Sequence, residues 1–215
     1  MLRKLLKQSD ACRDSEAGDG GETAANRGPT TKDLILDAAE ELLQRRSYNA
    51  FSYQHIAVQL GIRNAAIHYH FPSKADLGTT LIKRYRERYQ NYIRQIESST
   101  TEPWAMLQAF FRIYLEYLDA GDMVCPGGVL GAEFSAIPDT MQEETRLMLR
   151  EIYEWLISVL TRGRDSGKLQ FKGTPEGKAL EIGCALQGAL QIARCTDKDR
   201  FHLVLQQLEA DLIAA

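Results

Sequence analysis

Cysteine is scarce in this chain, and the four present, Cys12, Cys125, Cys184 and Cys195, lack the spacing of metal ligands. No secretory signal precedes them, so they read as reduced thiols of a cytoplasmic protein, which excludes a disulfide scaffold. Long apolar runs are missing too. Met1 to Lys7 alternates basic residues with leucine, and no stretch is long enough for export or membrane insertion. Strand alternation, repeats and coiled-coil heptads do not occur. Histidine is sparse: three of the four fall between positions 55 and 70, and His202 stands alone. Cys125, Glu133 and these histidines make no set of nucleophile, base and orienting group, which argues against an enzyme. His68 and His70, two apart, diverge on a helix and are poor joint metal ligands, so neither metal nor cofactor is expected.

What is present is helical periodicity. At 215 residues and 44% hydrophobic content the chain can bury a sizeable core, in one large or two small domains. Gln8 to Gly28 is rich in Gly, Ala, Asp and Glu with almost no large apolar residue, and disorder is expected there. Arg27, next to the first helix, reads as linker or as an arm for a minor groove. Thr31 to Arg46 repeats Leu34, Ile35, Ala38, Ala39, Leu42 and Leu43 at three and four, behind a Thr30/Asp33 capping pair. Later helices are expected from Lys74 to about Glu97 behind Ser73, from Pro103 to Asp119, from Val129 to Ala136, across 141–165 capped by Asp139 with Gln142, across 174–194 opening on Thr174-Pro175, and from about Asp197 onward.

Between the first two helical stretches lies the most informative segment. Ile56 and Leu60 share one helical face, and Ala57 is small where a second helix must cross. Gly61 supplies a left-handed corner at low cost because it has no β-carbon, and Ile62 and Ile67 return the next helix to the same core. Pro72 then disfavours helix at Phe71. The result is a helix-turn-helix whose second helix, about residues 63–70, keeps Asn64 and His68 outward. Asn64 can make paired hydrogen bonds to adenine and His68 can reach a base edge, while Ala65 and Ala66 can touch a thymine methyl group. An ordinary helical hairpin within an all-α core is the competing account of the same spacing. His55 is expected simply to face solvent.

Residues 31 to 80 resemble the TetR/AcrR family of transcriptional regulators through Ile35-Leu36-Asp37-Ala38-Ala39, Tyr48, Phe51-Ser52, Ile56-Ala57, Leu60-Gly61-Ile62 and Tyr69-His70-Phe71-Pro72-Ser73-Lys74. Two departures stand out: Ser47 occupies a position where the family commonly has glycine, and Asn64-Ala65-Ala66 falls at the variable start of the recognition helix. The resemblance implies an all-α fold: an N-terminal three-helix helix-turn-helix headpiece (30–76) after a disordered extension (1–29), followed by a larger helical ligand-binding and dimerisation domain (77–215). It implies that Gln54 reaches a base and that Ser52, Tyr53, Tyr69, His70 and Lys74 contact phosphate. Tyr69 reads equally well as a core aromatic. It also implies that helices 141–165 and 174–194 pair with their mates as a four-helix bundle, with Gly183 and Gly188 allowing close approach between or within subunits.

Charge follows the motif. Arg27 to Arg94 holds 11 Lys and Arg against 6 Asp and Glu, and the remainder holds 15 against 23, so a basic headpiece sits on an acidic body. Arg86 and Arg88 are expected on the solvated face of their helix. A headpiece this small touches few base pairs, so a homodimer on a palindromic double-stranded operator is expected. An effector of unknown identity is expected in the body, with Trp104, Phe110, Phe111, Tyr114, Met123, Cys125 and Phe134 as candidate walls by resemblance. Cys125 at a helix start is also a candidate sensor of oxidants or electrophiles, opposed by Asp122 and Glu133. The reading is therefore a DNA-binding regulator, a homodimeric repressor released by a small molecule. The alternatives are thiol-based sensing through Cys125 and a helical interaction module that binds no DNA.

Overall fold

The computed structural model describes residues 28–121 and 123–213. The extension with its Arg27 arm, Cys12 and Asp122 lie outside the described residues. Nine α-helices are described: α1 (Thr31–Arg46), α2 (Tyr53–Leu60), α3 (Asn64–His70), α4 (Lys74–Ser99), α5 (Pro103–Asp119), α6 (Pro126–Ala132), α7 (Asp139–Asp165), α8 (Pro175–Cys195) and α9 (Asp199–Leu212), with a 3-10 turn at Phe134–Ala136. No strand occurs among the described residues, and none of these helices is long and apolar enough to cross a membrane. The fold is all-α.

Local chemistry sets most boundaries. Thr30 opens α1 as a reciprocal cap: its backbone N–H donates to Asp33 Oδ2 at 3.0 Å, and Asp33 N–H donates to Thr30 Oγ1 at 3.2 Å. Ser73 and Asp76 do the same for α4. Gly61 ends α2 in the left-handed region at φ 66°. Three expected boundaries need correction. The helix expected from Val129 begins at Pro126 and stops at Ala132, because proline at a first helical position needs no donor, and Phe134–Ala136 tightens into a separate turn. Asp139 is not the cap of α7; Pro138 takes that position without a side-chain bond. The last helix starts at Asp199 behind Lys198, while Asp197 accepts from Arg200 N–H at 3.3 Å.

Two apolar clusters carry the packing. One joins α5, α7, α8, α9 and the far half of α4 around Leu107, Phe110, Phe111, Leu156, Leu186 and Phe201. The other begins in the headpiece with Ile35, Leu43, Ile56, Ile67 and Phe71, then continues without a gap through Leu77, Leu81 and Ile82 of α4 to Leu130 of α6 and Met141 of α7. Gly78 shows how closely these elements meet, since a β-carbon there would lie 2.4 Å from Met141 Sδ. The headpiece is thus packed onto the body as well as tethered to it.

Ser47, the position noted for its lack of glycine, has φ 73° and ψ 165°, the one non-glycine with positive φ among the described residues. That region is essentially reserved for glycine and costs about 1–3 kcal/mol with a β-carbon. The strain is held by the surrounding loop: Glu133 accepts from Tyr48 N–H at 2.6 Å and from Asn49 N–H at 3.3 Å. Ser47→Gly is expected to raise stability by about 1 kcal/mol, after the extra freedom glycine gives the unfolded chain is subtracted. Urea unfolding would show it as a higher midpoint at unchanged slope; a lower midpoint would contradict the strain.

Candidate functional site

Helix α3 owes its place to one residue per turn turned inward. Ile67 is fully buried, and the turn from α2 is closed by Ile62 N–H donating to Ala57 O at 3.1 Å. The opposite side of α3 faces solvent. Asn64, Ala65 and His68 are exposed, Ala66 and His70 are partly so, and Tyr69 is 84% exposed, which resolves it as a surface residue. A phenol that open has no packing role here, and its ring stands edge-on to His70 with centroids 5.1 Å apart.

Polar side chains on this face are already arranged in pairs. Asn64 Nδ2 donates to Gln54 Oε1 at 3.1 Å, so the first turn of α3 and the exposed side of α2 present one amide surface. His68 stands edge-on to Tyr53 with centroids 4.7 Å apart, and its Nδ1 lies 3.3 Å from Pro72 O. That contact leaves Nε2 outward. Ser52 is exposed at the start of α2, where its backbone N–H donates to His55 Nδ1 at 3.0 Å. His55, expected only to face solvent, therefore also satisfies an amide at the helix end.

Two expected phosphate contacts are instead built into the scaffold. Tyr53 is 8% exposed, and its hydroxyl donates to Phe71 O at 2.8 Å. Burial, with Asp76 nearby, pushes its pKa up to about 12. Lys74 donates to Tyr48 O and Phe51 O, and its ammonium lies over both rings at 4.2 and 4.5 Å. Burial lowers its pKa, and Glu133 acts against that shift. Lys74 clamps the loop between α1 and α2, and Tyr53 ties the start of α2 to the end of α3, so together they hold α3 at its angle. Sequence spacing did not reveal this, because the carbonyls that hold Lys74 are 23 and 26 residues away. Arg63, exposed at the N-cap of α3, is a further cation at the edge of this face, not expected from the sequence.

The charge asymmetry also changes meaning in three dimensions. Arg88, expected on a solvated face, is 4% exposed and donates to Glu40 Oε2 at 2.8 Å. Arg84 donates to the same oxygen at 2.5 Å and to Asp37 Oδ1 at 2.7 Å. Arg86 is paired with Glu144 and Glu151 of α7, which lowers the Glu151 pKa. Arg84 and Arg88 thus tie α4 to α1 of the headpiece, and Arg86 ties it to α7 of the body.

A cavity lies beside that ion cluster, and its empty volume of about 600 Å³ includes open solvent. From α4 it receives Tyr85, Arg88, Tyr89 and Tyr92; from α5, Phe110, Ile113, Tyr114 and Tyr117. Each set has the spacing i, i+3, i+4, i+7, the facing stripes of two helices. Cys125, at the start of α6, joins them. Of the seven walls expected by resemblance, Phe110, Tyr114 and Cys125 line the cavity. Trp104 and Phe111 pack on each other at 6.2 Å within the core, Met123 is buried elsewhere, and Phe134 lies under Arg146. Tyr85, Tyr89, Tyr92 and Tyr117 line it as well, and their signal in the sequence is the recurrence of hydroxyl-bearing aromatics on the inward face of α4 and α5. Tyr89 Oη is buried without a partner.

Cys125 is not poised as a thiolate. Burial pushes its thiol pKa up, against donation from Gln187 Nε2 at 3.3 Å and from Gly127, Gly128 and Tyr114. No cluster of three or more His, Cys, Asp or Glu suited to a metal occurs among the described residues.

A model of bacterial regulatory proteins of the tetR family matches residues 35–78, the segment from α1 to the start of α4. A transcriptional regulator described as TetR family from Agrobacterium tumefaciens is 33% identical, with a TM-score of 0.81 over 87% of this chain and 100% of that one. The transcriptional regulator LmrA of Bacillus subtilis is 24% identical over 75% of this chain and 82% of its own. The transcriptional activator FasR of Mycolicibacterium smegmatis is 26% identical over 102 residues, so the match spans about half of each, 46% and 47%.

Proposed function

We propose, from the premise that this chain belongs to the TetR family of DNA-binding transcriptional regulators, that it is a homodimeric repressor which binds a palindromic operator and is released by a small molecule. The observation that carries the DNA-reading part is the solvent-facing assembly of Gln54, Asn64 and His68 across α2 and α3, held by an apolar underside. Asn64 and His68 supply base contacts, with Gln54 supporting or joining them; Ala65 and Ala66 supply methyl contacts. Ser52, Tyr69, His70 and Arg63 flank them and supply the phosphate contacts, and Tyr53 and Lys74 fix the angle.

Dimerisation is supported by one face of α8. Leu180 and Ile192 are each 53% exposed, and Cys184, Gly188 and Cys195 lie with them toward solvent. The two glycines divide the roles left open by their spacing. Gly183 is covered within the subunit, where a β-carbon would meet Tyr153 Oη at 2.5 Å, whereas Gly188 has nothing within 4 Å. Two headpieces then engage half-sites about 34–36 Å apart or a multiple of that spacing. The effector occupies the cavity, not a covalent site: the raised pKa of Cys125 weighs against thiol sensing. The protein acts on DNA in the cytoplasm, and no catalytic role is assigned to Cys125, Glu133 or His202.

Selection from a randomised duplex pool, followed by footprinting on the enriched sequence, tests the reading. Asn64→Ala and His68→Ala should each remove about 1–3 kcal/mol of discrimination at one base position per half-site. Dimer mass should be unchanged. Undiminished selectivity in both variants would overturn the assignment of α3 as the reading helix. Binding should also fall steeply with salt, as phosphate contacts release counterions.

A further inference from the structure

The cavity borders the ion cluster that fastens the headpiece, and Arg88 belongs to both. It is a lining residue of the cavity, and its Nη1 donates to Glu40 of α1 at 2.8 Å. Most of the remaining lining is aromatic or aliphatic: Tyr85, Tyr89, Tyr92, Tyr114, Tyr117 and Phe110 dominate it, and Arg88 is the one lining residue that carries a full charge. Tyr89 Oη, buried without a partner, adds a hydrogen-bonding group awaiting an acceptor or donor. These features describe a site for a flat or flexible apolar body with an anionic end.

We propose that the effector is an amphipathic carboxylic acid whose carboxylate takes Arg88 from Glu40, which makes binding in the cavity a direct competitor of the headpiece attachment. This rests on the regulator reading above. Exchange of one carboxylate for another on a buried guanidinium avoids the large cost of an unpaired buried charge. Glu40 is not orphaned, because the same oxygen already accepts from Arg84 at 2.5 Å. The acid therefore removes the Arg88–Glu40 tie between α1 and α4, while Arg84 stays paired with both Glu40 and Asp37. Since α1 backs α2 and α3, loosening that tie alters the angle at which the reading helix is held. A neutral analogue of the same shape fills the cavity but has no means of displacing Glu40, and so has no differential affinity for the two arrangements.

Full-length protein, titrated calorimetrically with 4-phenylbutanoate and decanoate and with their amides, tests the chemistry without DNA. At least one acid should bind about tenfold more tightly than its amide, and Arg88→Met should abolish that preference while Arg88→Lys keeps part of it. Absence of binding by either acid, equal binding of the amides, or a preference that survives Arg88→Met would overturn the proposal; the wild-type comparison stands even if the variants do not fold. Fluorescence anisotropy on the pool-selected duplex tests the coupling. Saturating acid should weaken DNA binding about tenfold, and the duplex should weaken acid binding by the same factor, as linkage requires. An acid that binds without moving DNA affinity overturns the competition with Glu40. Failure to bind any duplex would sink the regulator reading instead, and the acid preference measured without DNA would be unaffected.

Discussion

Ile192→Glu should turn the dimer into monomers and weaken operator binding by roughly 10²–10⁴-fold, the loss expected when a second linked binding event disappears. Ile192 is more than half exposed on α8 and shares its face with Leu180 and the open Gly188. In an isolated subunit a carboxylate there costs almost nothing, because it stays in water. At a two-fold interface the substitution enters the seam twice, once from each subunit, so two charges are placed in an apolar seam. Analytical ultracentrifugation should show the monomer, thermal unfolding of the variant should remain cooperative, and binding to a single half-site should be unchanged. A variant that stays dimeric and keeps full operator affinity would place the interface elsewhere. Gly188→Arg is a second probe of the same seam, with no neighbour inside 4 Å to disturb within the subunit.

Glu40→Ala carries the largest expected loss of stability, about 3–5 kcal/mol. Glu40 is 8% exposed and holds both Arg84 and Arg88 through one oxygen. Removing it strands positive charge in a buried space, and Asp37, 2.7 Å from Arg84 and 4.0 Å from Arg88, cannot balance two guanidinium groups. The next residue is the control. Glu41 pairs with Arg45 one turn on, but both are about a third exposed, so Glu41→Ala should cost less than about 0.5 kcal/mol. Denaturant unfolding of both variants measures the contrast. Similar costs for the two would show that the cluster is solvated and does not bear on the junction. A large loss at Glu40 with preserved DNA affinity per folded molecule would separate the stability of the junction from its influence on α3.

The sign of regulation is read by transcription from the selected operator in a reporter strain. Repression is expected, relieved by the effector.

Read by itself, the order of residues determined what depends on neighbours within a turn or two. The caps at Thr30 and Ser73, the left-handed corner at Gly61, the stop before Pro72 and the apolar stripes of α1, α5 and α7 are all consequences of contacts spanning three or four positions. Together they made the helix-turn-helix and the all-α body legible, along with the outward side of α3. Ser47 was legible as an oddity, but only its φ showed it to be strained.

Tertiary structure alone decided which polar groups are held by partners within the chain and which face solvent. Tyr53 and Lys74 look like phosphate ligands in a string of residues, yet carbonyls brought in by folding satisfy them. Arg84 and Arg88 look like a basic surface, yet acids 44 to 48 positions away bury them. The cavity likewise needed α4 and α5 to face each other before its tyrosines could be told from ordinary core. The physical reason is common to all three. A side chain's partner is set by burial and distance in space, and a one-dimensional pattern records neither for residues that meet across tens of positions.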